Sequence, residues 1–232
     1  MYVEGITFMQ YLKYYNLKFL LYLVYFYRSA TLRGFINTLR LLKAELSFEK
    51  KFGIKTSTIK RSASDEFFHY QGAGYLVLIR LFNLMAPHTK KFRFLDIGSG
   101  KGRAVFVAEY CGYEHLIGIE LDNKLTEEAR QNATRYVPRN KISEIQFITD
   151  NALTHNYINE PSVYFLFNPF NSNVLMRVLE KIRASTKSET WFIYMNPLFR
   201  QNFENQNSQL VAEIKTGRYL EAVIYKWPKS EA

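Results

Sequence analysis

The stretch "FRFLDIGSGKGRAVF", Phe92 to Phe106, decides the fold. An apolar run reads as a strand, reaches Asp96, passes Gly98, Gly100 and Gly102 at alternate positions, and enters a helix pattern at once. Glycines placed this way allow torsions and a close approach to the backbone that side chains would block. The helix that follows begins with free N–H groups pointing at whatever lies there. A dinucleotide-binding loop, G-x-G-x-x-G, would put its third glycine at position 103, which here is Arg103. The phosphate-cradling pattern G-x-x-x-x-G-K-[ST] is also missing. The loop is therefore not expected to hold a pyrophosphate.

The same alternation continues outward. "GYLVLIRLFNLM" has helical spacing and is expected to stop before Pro87. After the strand "RFLDIG" come the helix "GRAVFVAEYC", the strand "HLIGIEL", the helix "NKLTEEARQNATRYV" closing at Pro138, and the strands "EIQFITD" and "SVYFLFNPF". The helix "SNVLMRVLEKIRAS" and the strand "TWFIYMNP" follow. "QLVAEIKT" and "YLEAVIYKW", joined through "GR", read as an antiparallel hairpin. Strands alternating with helices imply a parallel sheet covered on both faces. The expected fold is α/β: a doubly wound, mostly parallel seven-stranded sheet with a C-terminal antiparallel hairpin, preceded by an N-terminal helical segment. Two units are expected, a basic, aromatic-rich segment and connector at 1–68 and the sheet domain at 69–232. The polar run Lys50 to Phe68 reads as a connecting loop.

At 232 residues, 47% hydrophobic and 22% charged, the chain is globular rather than disordered. A single cysteine, Cys111, excludes a disulfide framework and a cysteine zinc site, and points to a reducing, cytoplasmic compartment. His69, His88, His115 and His155 are scattered without metal-ligand spacing, so no metal is assigned. Charge is concentrated at one end: residues 1–92 carry 14 Lys/Arg against 5 Asp/Glu, which accounts for +9 of the net +10. Such a balance suits an acidic partner, whether nucleic acid, anionic lipid or an acidic protein surface. The apolar block Phe19 to Tyr27 is nine residues long, too short to span a bilayer. Extending it backward would bury Lys13 and Lys18, at about 2.5–3.5 kcal/mol for a charge near the centre. The block is expected to be a helix that packs on the main domain, pairs with another chain, or lies on a membrane surface. Residues 1–61 are thus the candidate for peripheral contact with an anionic membrane or nucleic acid.

In a sheet of this kind, ligands sit beyond the carboxyl ends of the strands. Those ends carry Asp96, Glu120, Asp150, Asn168 and Asn196. Glu120 is placed to accept from the two hydroxyls of a ribose. Asp150 is placed to accept from an adenine amino group. Asp96 and the glycine-loop backbone then face an ammonium and a carboxylate. These parts describe a nucleoside joined to an amino acid.

"FLDIGSGKGR", "GIELD", "FITDNAL" and "FLFNPF" resemble, in order and spacing, the successive motifs of class I S-adenosylmethionine-dependent methyltransferases. The likeness runs from about Phe92 to Trp227 and is nearest to small bacterial members of unassigned substrate that combine "GSGKGR" with "NPF". The resemblance implies S-adenosyl-L-methionine as cofactor. Asp96, Gly98, Ser99 and Gly100 would back its methionine part, Glu120 its ribose, and Asp150 with Asn151 its adenine, with Asn168 also counted among the cofactor-binding residues. Tyr70 and Gln71, in "HYQGAGY", would close over it.

The implied reaction is in-line displacement of a methyl group from sulfur by a nitrogen or oxygen nucleophile, accelerated chiefly by alignment. Asn168 would offer its side-chain oxygen to the acceptor, Pro169 would stiffen the turn, and Phe170 would flank the substrate. "NPF" is similar to the [DNS]-P-P-[YFW] turn of nucleic-acid amino methyltransferases, with Phe170 in place of the second proline. It is also similar to the turn of seven-strand protein-lysine methyltransferases. A protein, small-molecule or nucleic-acid acceptor therefore stays open, with a protein lysine as one candidate. A different class of function is a non-catalytic scaffold that binds acidic partners through its basic N-terminus.

Overall fold

The structure of the protein, a computed structural model, describes residues 23–24, 26–57, 72–137 and 143–229. Residues 26–33 are helical. After Gly34 come helices α1 (Phe35–Phe52) and α2 (Tyr75–Thr89). The sheet domain then runs β1 (Arg93–Ile97), α3 (Arg103–Tyr110), β2 (His115–Glu120), α4 (Asn123–Arg135), β3 (Glu144–Thr149), β4 (Ser162–Phe167), α5 (Ser172–Ser185) and β5 (Thr190–Met195). A short helix α6 (Gln201–Glu204) leads to the hairpin β6 (Gln209–Thr216) and β7 (Tyr219–Trp227).

The seven strands lie in the order β3-β2-β1-β4-β5-β7-β6. β1 to β5 are mutually parallel, and β7 is antiparallel to both β5 and β6. This is the doubly wound sheet with an antiparallel hairpin that the alternation of periods implies. The order reverses between β1 and β4, which opens a crevice at their carboxyl ends.

Period-two alternation divides the core into two layers. Phe94, Val163, Phe165 and Ile193 face one side, where they meet α2 and α3 through Leu78, Phe82, Val105 and Phe106. Leu95, Tyr164, Leu166, Phe192 and Tyr194 face the other side and meet α5 and α6 through Val178, Leu179 and Phe203. Phe82 sits edge-on to both Phe94 and Phe165, with ring centroids 5.2 and 5.4 Å apart. Edge-to-face pairs of this kind add to the burial of their own area.

Two local expectations are corrected. α2 does not stop before Pro87 but runs through it to Thr89. Pro87 and Asn83 both lie on the exposed side of the last turns, so the carbonyl that loses its N–H partner can face water. The connector also begins later than Lys50, because α1 continues to Phe52. Lys50 and Lys51 occupy its last turn, where cations suit the helix dipole. Gly53, at φ 71°, ends the helix in the left-handed conformation, and its N–H donates to the Glu49 carbonyl. Phe52 and Ile54 are buried with the residues of α2 and α3.

Candidate active site

The crevice is built outward from the glycine loop. Gly98 and Gly102 have φ of 81° and 84°, in the left-handed region where a side chain is strained. Space forbids a side chain as well: a Cβ on Gly98 would stand 2.7 Å from Pro169 Cβ, and one on Gly102 2.4 Å from the Phe147 ring. The first contact joins the glycine loop directly to the Asn-Pro-Phe turn. The loop is anchored by the N–H groups of Gly98 and Ser99, which both donate to the Ile119 carbonyl at 2.8 and 3.0 Å.

Glu120, at the end of β2, receives the N–H of Gly100 at 2.8 Å on one oxygen and the N–H of Asp122 at 2.9 Å on the other. The carboxylate plane is thereby fixed, and each oxygen keeps a lone pair. Burial raises the Glu120 carboxyl above its ordinary range, against the opposing pull of those two N–H groups. Asp96 is 3% exposed. Burial first, and then the nearby Glu120, push its carboxyl well above the usual range. No Lys or Arg pairs with Asp96 among the described residues.

At the end of β3, Asp150 Oδ1 accepts the Asn151 N–H at 2.7 Å and Oδ2 lies 2.8 Å from His155 Nδ1. The His155 contact comes first among the causes that lower the Asp150 carboxyl. His155 carries no spacing signal in the sequence. Only the turn after β3 brings it back onto Asp150.

At the end of β4, Asn168 is buried and left-handed, with φ 41°. Its Oδ1 accepts the Tyr194 hydroxyl at 2.6 Å. Asp96, Gly98, Ser99, Glu120, Asp150, Asn151, Asn168, Pro169 and Phe170 all line one cleft, together with Leu121, Ala152 and Phe167. Gly100 stands in the loop that holds Glu120. Tyr70 and Gln71 lie outside the described residues. Asn196 is not in this wall: β5 stands one strand beyond β4, away from the β1–β4 crevice. It repeats the geometry of Asn168, with φ 47° and its Oδ1 accepting the Tyr219 hydroxyl at 3.2 Å.

Arg103 also lines the cleft, and its role was not legible in the sequence. A cation in the first turn of a helix opposes the dipole, so it needs partners from elsewhere. Its Nε donates to Thr56 Oγ1 at 2.7 Å, and Nη1 to Glu45 Oε2 at 2.6 Å and the Ala73 carbonyl at 2.9 Å. Nη2 donates to Ser57 Oγ at 2.9 Å and to Glu49 Oε1 at 3.4 Å. The guanidinium carbon lies 4.2 Å from the centre of the Tyr75 ring. All five N–H donors of the fork are engaged. Lys101 pairs with Glu128 of α4.

The donor set fits an adenosyl amino acid. Two acidic groups that line the cleft without a salt-bridge partner among the described residues can receive a cationic ligand, and a fixed carboxylate with spare lone pairs suits vicinal hydroxyls. Ser99 Oγ is buried without a hydrogen-bond partner, which leaves a donor unused beneath the loop. Among the described residues no cluster of His, Cys, Asp and Glu could hold a metal ion.

No protein-family model and no curated protein matches the chain by sequence. Solved structures match it by shape. The yhhF protein of Escherichia coli aligns at 18% identity over 75% of this chain and 92% of that one, with a TM-score of 0.52. The magnesium protoporphyrin IX methyltransferase of Synechocystis PCC 6803 with bound SAH aligns at 10% identity over 66% of this chain and 81% of that one, with a TM-score of 0.51. The same enzyme with bound SAM covers 77% of its own chain at a TM-score of 0.50. The sheet and its flanking helices therefore have the fold seen in these proteins.

Proposed function

We propose that the protein is an S-adenosylmethionine-dependent methyltransferase acting on a nitrogen or oxygen nucleophile. The observation that carries this reading is the convergence of four strand ends on one cleft, with Glu120 clamped by Gly100 and Asp122 beside the glycine loop. When bound, the cofactor supplies a methyl group on a positively charged sulfur.

The protein's own residues do the rest. The spare lone pairs of Glu120 accept the ribose hydroxyls. Asp150, held by His155 and the Asn151 N–H, accepts from the adenine amino group. Asp96, with no cation beside it among the described residues, balances the positive charge of the ligand, which favours its ionised form. Apolar walls from Leu121, Ala152 and Phe167 exclude water from the flat base.

Asn168 presents its amide to the cleft, in one orientation fixed by Tyr194. The remaining lone pair on Oδ1 can hold an N–H or O–H of the acceptor, so that its free pair points along the line of displacement. Holding donor and acceptor in line contributes most of the acceleration. Buried Phe170 forms the flank, suited to the aliphatic stem of a lysine or to a flat ring. A protein lysine is the acceptor we would try first, and a nucleic-acid amino group the next.

The test is transfer of labelled methyl from S-adenosylmethionine into fractionated lysate, alongside thermal unfolding with S-adenosylhomocysteine. An upward shift with the homocysteine compound and none with a dinucleotide supports the reading. A shift with a dinucleotide alone, or none with either, would sink it.

A further inference from the structure

The outer face of α1 is apolar and basic, and nothing in the catalytic reading uses it. Phe35, Leu39 and Leu42 recur one and two turns apart along one side of the helix, with Ile36 beside them, and all four are exposed. Phe35 is 59% and Ile36 65% exposed, and Tyr27, in the helical stretch before Gly34, is 72% exposed. Arg28, Arg40, Lys43 and Lys50 are exposed around them. From 26 to 57 the only carboxylates are Glu45 and Glu49, and both are turned in onto Arg103. Among the described residues of this stretch, the outer face therefore presents cations without a compensating acid. Among the described residues no helix is long and apolar enough to cross a membrane.

We propose that this face docks on the surface of an anionic bilayer, with the apolar stripe in the headgroup boundary and the cations on the lipid phosphates. Charge complementarity favours this occupant. A nucleic acid would satisfy the cations but leave Phe35, Ile36, Leu39 and Leu42 in water. A second copy would set two cationic faces against each other. The docked helix is tied to the sheet domain at both its approach and its length. Just before it, in the helical stretch that ends at Gly34, Arg33 pairs with Glu221 through two hydrogen bonds of 2.6 and 3.0 Å and lies 3.9 Å from the centre of the Tyr219 ring, the ring whose hydroxyl holds Asn196. Within α1, Glu45 holds Arg103 in the wall of the cleft. A surface bound by α1 is thus fixed relative to the carboxyl edge of the sheet, whatever reaction occurs there.

The test is sedimentation of the full chain with vesicles of phosphatidylcholine alone and of phosphatidylcholine with phosphatidylglycerol. Binding is expected only to the anionic vesicles and should fall as salt is raised. Arg40→Glu with Lys43→Glu should weaken it about tenfold or more. Ile36→Ser with Leu39→Ser should weaken it by about tenfold through lost apolar burial. Circular dichroism melting of each variant should match the parent. Equal binding to both vesicle types overturns the proposal, and so does undiminished binding by both variants. Failure to bind vesicles also overturns it, whether the chain instead binds nucleic acid or forms a dimer that Ile36→Ser with Leu39→Ser abolishes. The comparison of vesicle types uses the parent chain and stands even if a variant fails to fold.

Discussion

The Tyr194 hydroxyl donates to Asn168 Oδ1 at 2.6 Å, and both residues are buried. The bond joins the ends of two neighbouring parallel strands and fixes which way the Asn168 amide faces. Tyr194→Phe removes the donor and leaves the amide free to turn. If Asn168 orients the acceptor, the variant should lose about tenfold in kcat, with affinity for S-adenosylhomocysteine nearly unchanged. Stability should drop by about 1 kcal/mol. Steady-state kinetics and calorimetry separate the two effects, and an equal loss in both would assign Asn168 to cofactor binding instead.

Glu120→Ala removes two backbone hydrogen bonds together with the proposed ribose contacts. Hydrogen bonds to a charged group are worth about 1.5–3 kcal/mol each. Cofactor affinity should fall by about tenfold to a hundredfold, as read by titration calorimetry. An unchanged affinity would remove Glu120 from the ribose site.

Asp96 gives a signed pH effect. Burial, followed by Glu120, raises its carboxyl in the folded chain. The folded state then holds this proton more tightly than the unfolded state. Stability from this group is fully present below the ordinary carboxylate range and is lost as pH rises through the raised value. Asp96→Asn escapes that loss, so it should melt higher than the parent near neutral pH, by an amount that shrinks as the solution is acidified. A gain of about 1 kcal/mol is expected. Its affinity for S-adenosylmethionine should fall, because the cation loses its counter-charge. In the parent, affinity should weaken as pH drops, and binding should release a proton, visible as a buffer-dependent heat. A heat independent of buffer would contradict this assignment.

Arg103→Met should destabilise the fold by about 3–5 kcal/mol, since it leaves Glu45 and Glu49 without their cation in a partly buried setting. Adding Glu45→Gln and Glu49→Gln should recover part of that loss. Urea unfolding of the three proteins measures it. If the triple variant were no more stable than Arg103→Met alone, the hydrogen bonds to Thr56, Ser57 and Ala73 would be the larger share.

The elements were legible because their signals are local. Near-continuous apolar runs in "RFLDIG" and "SVYFLF" mark strands buried on both sides, and the glycine loop announces itself by needing left-handed torsions at fixed spacing. Strand ends follow from the strands, so Asp96, Glu120, Asp150 and Asn168 could be named as neighbours before any coordinates. Asn196 could not be excluded that way, because strand order alone sets its distance from the crevice. Pro87 was misjudged because its cost depends on which side of α2 faces water.

The sequence by itself determined which segments are strands and helices and that a glycine-floored, acid-lined crevice lies beyond the strands, since both rest on periods and spacings within one segment. Only the tertiary structure decided what those side chains touch. Arg103 gathers Glu45, Glu49, Thr56, Ser57 and Ala73, and His155 turns back onto Asp150. Such partners meet through packing of separate elements, and no periodicity along the chain encodes a contact across it.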